Sequence, residues 1–315
     1  MNRSTDNDHG IVLSGLDGSN PLAFLAALGT LRVLSRGSPD HAFKTSWAIH
    51  AGRWVPTLHA NRSLVQDDVL TSLASVLGTD ATRHSIAFMN KDDVVSARYS
   101  PPQLLRARAH GAEGPADRDV SAGALDWLSA MTSDLAPDAT SQLQTARRDY
   151  FWGNLKSVML LCKPEHLRRT LFQPWDYADP LDNQSLHHIE PSEDRRHAHQ
   201  WSTPSGDPDR KKRGGMLGAN RLAIEAFPFF QSVAAGNKLA TRGFSGTRAD
   251  DTRWTWPLWG IPLDHDVIAS LLAMRELQSE SIDHRALSAR GINAVFRCRR
   301  ILVGKTPNFT PAMAV

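Results

Sequence analysis

The sequence predicts an α+β fold, and three observations carry that prediction. A short apolar run, GIVLSGL (10–16), is followed by a helix and then a hairpin, an order that a simple doubly wound sheet does not have. Strand-like alternation returns near the end of the chain, in TRWTWPLW and INAVFRCRRILVG. Between them, residues 173–215 are rich in Pro, Asp and His and show almost no apolar periodicity. The expected organisation is an N-terminal βα-hairpin-helix lobe (1–150) and a C-terminal lobe (151–315). The second lobe combines the long irregular loop region with a mixed unit of helix and basic strand.

Each element has its own signature. GIVLSGL is bounded by glycines and reads as a buried strand. DGSN turns the chain, and Asn20 as N-cap with Pro21 as first helical residue starts a helix. Leu22, Leu25, Leu28 and Leu31 recur at helical spacing, widened by Phe24 and Leu34. Gly29 with Ala23, Ala26 and Ala27 leaves little bulk, as where a helix lies close against a sheet. KTSWAIHAGRWVPTLH alternates on both sides of Ala51 and Gly52, which predicts a hairpin. RSLVQDDVLTSLASVLG predicts an amphipathic helix ending at Gly78. Residues 101–137 mix helices with an exposed loop at GAEGPADRD, and NLKSVMLLCK predicts a helix ending before Pro164. GANRLAIEAFPFF predicts a short helix beginning at Ala219 or Asn220 and stopped at Pro228. A strand through TRWTWPLW, a helix from residue 264 to about 280, and a basic strand through INAVFRCRRILVG complete the chain. Trp254, Trp256 and Trp259 are expected in the core rather than as stacking platforms.

Hydrophobic content of 41% and charged content of 22% are those of a globular protein, not a disordered one. The formal net charge is only +3, so the total says little about polyanionic partners. Its distribution says more. No acidic residue follows Asp283, whereas Arg285, Arg290, Arg297, Arg299, Arg300 and Lys305 do, forming a positive segment suited to phosphate. Cys162 and Cys298 match neither zinc spacing nor a disulfide framework and read as reduced, buried thiols. MNRSTDNDHG lacks the apolar region of a signal peptide, and no apolar run approaches the roughly 20 residues that span a bilayer. A soluble cytoplasmic protein without a membrane partner is expected.

Recognisable catalytic motifs are absent: RGGMLGANR lacks the Lys-Ser/Thr of a P-loop, and no G-x-S-x-G elbow occurs. The stretch SLHHIEPSEDRRHAHQW (185–201) invites a metal reading, since His187, His188, His197 and His199 are four of the chain's 13 histidines. His197 and His199 would share a strand face. Against a metal stand Arg195, Arg196, Arg210, Lys211, Lys212 and Arg213, whose charges oppose a divalent cation, and a spacing that matches no zinc motif. No metal and no cofactor is expected.

The cations suit a polyanion better. DPDRKKRGG places Arg210, Lys211, Lys212 and Arg213 on a turn whose glycines let phosphate approach the backbone. Asn220 and Arg221 follow at an expected helix start, with N–H groups pointing outward. In VFRCRRILV, period 2 puts Arg297 and Arg299 on one face and Phe296 and Cys298 on the other, with Arg300 and Lys305 beyond.

Five phrases together, LDGSNPLAFLAALGTLRVL, PWDYADPLDNQSLHHIEPSEDRRHAHQW, GANRLAIEAFPFF, TWPLW and RGINAVFRCRRILVGKTPNFTPA, resemble a small CRISPR-associated family. That family accompanies subtype I-G (formerly I-U) effector genes and stands in for the large subunit of Cascade. The resemblance covers both ends of the chain and is weak over residues 60–150. It implies a non-enzymatic subunit at the crRNA 5′ end that reads a short PAM in target double-stranded DNA. Such a subunit contacts the other Cascade subunits and recruits the helicase-nuclease, leaving further sequence to RNA–DNA pairing. No particular PAM-reading residue carries over, and the chain is shorter than most large subunits. A helical bundle at the C-terminus is therefore expected to be reduced or supplied by a separate small subunit. Two other classes stay open: a metal-dependent nuclease built on the His187–His199 cluster, and a purely structural assembly subunit.

Overall fold

The structure is a computed structural model that describes residues 10–83, most of 127–144, residues 155 and 158–175, and residues 216–246, 251–303 and 306–315. The expected loop at GAEGPADRD and nearly all of the irregular region, from residue 176 to 215, lie outside the described residues. Helices and antiparallel strands coexist, as an α+β fold requires.

The first lobe forms as its punctuation dictates. Strand β1 (Ile11–Val12) leads into helix α1 (Pro21–Gly37), whose first turn is closed by Asn20. The Asn20 Oδ1 accepts from the Leu22 and Ala23 N–H groups at 2.8 and 3.2 Å, satisfying donors that a helix start otherwise leaves bare. Strands β2 (Lys44–His50) and β3 (Arg53–His59) form the expected hairpin, with His50 opposite Arg53. Ala51 and Gly52 at its tip have φ of 50° and 78°, the paired positive values of a type I′ turn. The sheet order is β1-β3-β2. Helix α2 (Gln66–Arg83) runs through Gly78 instead of ending there, because one glycine costs a helix only about 1 kcal/mol.

Helix α3 (Pro164–Phe172) begins at the proline where the preceding helical segment, residues 158–161, has ended. The His166 Nδ1 caps it by accepting from the Lys163 N–H at 3.0 Å. Helix α4 (Leu217–Ala226) starts two residues earlier than expected and passes into a 3-10 turn, Phe227–Phe230, that includes Pro228. All ten residues of α4 are buried. Contacts made by the whole helix, not its local start signal, set these bounds.

Strands β4 (Ser232–Ala235) and β5 (Lys238–Thr241) form a separate hairpin. The main C-terminal sheet joins β6 (Phe244–Ser245), β7 (Arg253–Trp259), β8 (Ile292–Val303) and β10 (Met313–Ala314) in the order β10-β8-β7-β6. Strand β9 (Thr306–Phe309) folds back on the far end of β8. Helix α5 (His265–Leu272) is capped by Asp264, whose Oδ1 accepts from Val267 N–H at 3.0 Å. It stops well short of residue 280, where a 3-10 turn, Arg275–Gln278, takes over. A short helix α6 (His284–Ser288) precedes β8.

One hydrophobic core holds residues from both expected lobes, from Leu13 to Phe309. At its centre Phe24 of α1 stacks on Trp47 and Trp256 with ring centroids 6.0 and 5.8 Å away, and meets Trp259 edge-on. Trp254, Trp256 and Trp259 are fully buried, as expected of core rather than of stacking platforms. The Trp256 Nε1 donates to Gly18 O and the Trp259 Nε1 to Thr45 O, at 2.9 and 2.7 Å, tying the C-terminal sheet to the N-terminal elements.

The small residues of α1 serve a purpose the pattern did not name. A Cβ on Gly29 would lie 1.8 Å from the carbonyl oxygen of Leu222, so α1 touches the backbone of α4 there and not a sheet. On α4, a Cβ on Gly218 would lie 2.3 Å from His166 O in α3. Helix α4 is thereby held by direct backbone approach to two other helices.

Candidate functional site

The C-terminal sheet brings three arginines, Arg253, Arg297 and Arg299, together on one face. Strand alternation sends Trp254, Trp256, Phe296 and Cys298 into the core and leaves Arg253, Arg297 and Arg299 on the other face. Register places Arg253 opposite Arg299, and Arg297 between Thr255 on β7 and Met313 on β10. The three arginines line a cleft of ≈ 410 Å³ with Thr310, Pro311 and Met313.

Their engagement differs. The Arg297 Nε donates to the Thr255 Oγ1 at 2.9 Å, and its Nη2 donates to the carbonyls of Leu277 and Ser279 at 3.0 and 2.8 Å. Burial lowers the Arg297 pKa from its ordinary value, and the neighbouring Arg253 charge lowers it further, against a smaller opposing effect of Glu280. Arg253 pairs with Glu280. Arg299 is exposed, and among the described residues its guanidinium has no hydrogen-bond or ion-pair partner. Only its backbone is fixed: its N–H donates to Thr310 Oγ1 at 3.0 Å, and its carbonyl accepts from Thr310 N–H at 2.8 Å. Like charges directly opposite on adjacent strands are unfavourable unless an anion intervenes. Here the Arg253–Glu280 pair offsets part of that repulsion.

Arg300 belongs to a different environment. Its Nη2 donates to Gln144 O at 2.9 Å, and burial lowers its pKa to about 10. It braces the 141–144 segment against β8. Burial also pushes the Cys298 thiol well above its ordinary value, so it stays protonated. Cys162 is likewise outside any disulfide but only half-buried, which corrects the expectation of two buried thiols.

Asn220 and Arg221 correct the expectation of an outward-facing helix start. Each is 1% exposed, inside a helix that begins at Leu217. The Asn220 Nδ2 donates to Met216 O at 2.9 Å. The Arg221 Nη1 donates to Glu225 Oε1 at 2.7 Å, while the Arg32 Nη1 reaches Glu225 Oε2 at 3.0 Å and that of Arg36 lies 3.6 Å from it. Burial pushes the Glu225 carboxyl up, and the three guanidiniums more than offset it, so the group stays ionised below its ordinary value. Neither Asn220 nor Arg221 can meet a nucleic acid.

Arg195, Arg196, Arg210, Lys211, Lys212, Arg213 and Lys305, and the histidines His187, His188, His197 and His199, lie outside the described residues. Among the described residues no group of three or more His, Cys, Asp or Glu side chains is placed to hold a metal ion, and no helix is long and apolar enough to cross a membrane.

Sequence reasoning missed Arg253 and Thr310 in the cleft. Arg253 was within reach, because period 2 sets it opposite the buried face marked by Trp254 and Trp256. Thr310 was not, since its place depends on the return of β9. No protein-family model, curated protein or solved structure matches this chain.

Proposed function

We propose that the protein is a non-catalytic, nucleic-acid-binding subunit of a type I CRISPR effector complex, in the place of the Cascade large subunit. In this reading it contacts crRNA and target double-stranded DNA, takes part in PAM recognition and docks the helicase-nuclease. Two lines support it: the resemblance of the terminal segments to the subtype I-G family, and the arginine cleft. The observation that carries the binding role is Arg299, an exposed and unengaged guanidinium beside two further arginines and opposite one of them. Such a group can accept a phosphate without breaking an existing bond, and Arg holds phosphate bidentately.

The test is fluorescence anisotropy of labelled duplex bearing a matching target, titrated with the assembled complex over a range of salt. Arg299→Ala is expected to weaken binding and reduce the slope of log K against log salt by about 0.9, one duplex phosphate contact. An unchanged slope and affinity removes the cleft from the interface. Stoichiometric metal in the purified protein, with cleavage abolished by a chelator, would replace this reading with the nuclease.

A further inference from the structure

A second cleft lies away from the arginine sheet, between α2, residues 159–163 and α3, with a volume of ≈ 290 Å³. Leu77, Met159, Leu160 and Leu167 wall it, Lys163 stands at its exposed mouth, and Arg221 forms its buried end. The mouth carries an unusual lip, since Leu160 is 59% exposed.

The buried end is chemically incomplete. The Arg221 side chain is 1% exposed and its Nη1 is bound to Glu225, but its Nη2 has no hydrogen-bond partner among the described residues. A buried charged donor left without an acceptor costs free energy, and an incoming acceptor recovers it. The N-terminus of α3 opens on the same space through Pro164, and its dipole favours negative charge. The head group is therefore anionic. The walls choose the rest of the ligand: four apolar side chains satisfy hydrocarbon but leave sugar hydroxyls or spare phosphate oxygens without partners. The volume is at the small end of ligand pockets.

We propose that this cleft binds a small monocarboxylate with an apolar body, of the medium-chain fatty-acid class. Its carboxylate accepts from Arg221 Nη2, Lys163 adds charge at the mouth, and the hydrocarbon packs on Leu77, Met159, Leu160 and Leu167. The site does not depend on the nucleic-acid reading.

Calorimetric titration of the full chain with octanoate, octanol and inorganic phosphate tests it. Octanoate is expected to bind one to one, octanol at least about tenfold more weakly for want of the charge-assisted bond, and phosphate not to compete. Arg221 is packed in the core, so the deciding variant is Leu160→Glu. It lies at the exposed lip, and it should weaken octanoate by about tenfold or more without changing the melting temperature. No octanoate binding, equal binding by Leu160→Glu, equal binding of octanol, or competition by phosphate each overturns the proposal.

Discussion

Arg221 and Glu225 form a 2.7 Å ion pair across one turn of α4, with side chains 1% and 0% exposed. Arg32 and Arg36, themselves one turn apart on α1, complete the same carboxylate from the facing helix. The helix pair that meets backbone to backbone at Gly29 and Leu222 is thus also joined by buried charge. Removing the carboxylate takes this partner from the buried Arg221 and Arg32, and breaking a buried pair in this way costs about 3–5 kcal/mol. Glu225→Gln keeps the shape of the side chain and is expected to lower stability by that amount in urea denaturation followed by tryptophan fluorescence.

The same carboxylate makes stability acid-sensitive. Its folded pKa lies below the ordinary value of 4.5, so its contribution is fully present above that value. The contribution is lost as pH falls through the lower folded pKa. Urea midpoints measured from neutral pH downward should therefore fall below about pH 4.5, and the fall should be smaller in Glu225→Gln. An identical acid limb in the variant would place the acid sensitivity in other carboxylates.

Local chemistry was legible in the sequence, and long-range partnership was not. Asn20 with Pro21, and Ala51 with Gly52, name a helix start and a hairpin turn through their own backbone preferences, and both form as expected. The alternation around Phe296, Arg297, Cys298 and Arg299 gave the two faces of β8 correctly. Asn220 and Arg221 were misplaced because their surroundings come from α1 and α3, far away in the chain. Two spacings could have been used: Arg32 with Arg36, and Arg221 with Glu225, each one turn apart on an otherwise apolar helix. Charges in such positions either reach solvent or find each other, and here they find each other. Strands β4, β5 and β9 were not anticipated, since runs of four residues carry too little alternation to stand out.

Two glycines within helices should respond in opposite directions to alanine. At Gly29 the added Cβ would fall 1.8 Å from the Leu222 carbonyl oxygen, and neither backbone can yield without moving its helix. Gly29→Ala is expected to destabilise by about 1–3 kcal/mol, as overpacked cores do. At Gly78 nothing lies within 4 Å of the added atom, and the helix continues past it. There the better helix former should stabilise by up to about 1 kcal/mol. Melting temperatures of the two variants give the signs directly.

Adjacent arginines on β8 should separate binding from stability. Arg299 points into the cleft with its guanidinium unengaged among the described residues, so Arg299→Ala should change stability by no more than about 0.5 kcal/mol. Arg300 is half-buried and donates to Gln144 O, so Arg300→Leu should cost about 1–2 kcal/mol by removing that bond. The proposed DNA-binding role expects the reverse on duplex: Arg299→Ala should lower the salt slope of the assembled complex, and Arg300→Leu should leave it unchanged. Chemical denaturation and salt-dependent anisotropy on both variants test the pair together. A slope lost with Arg300 and kept with Arg299 would mean that nucleic acid approaches β8 from the opposite face.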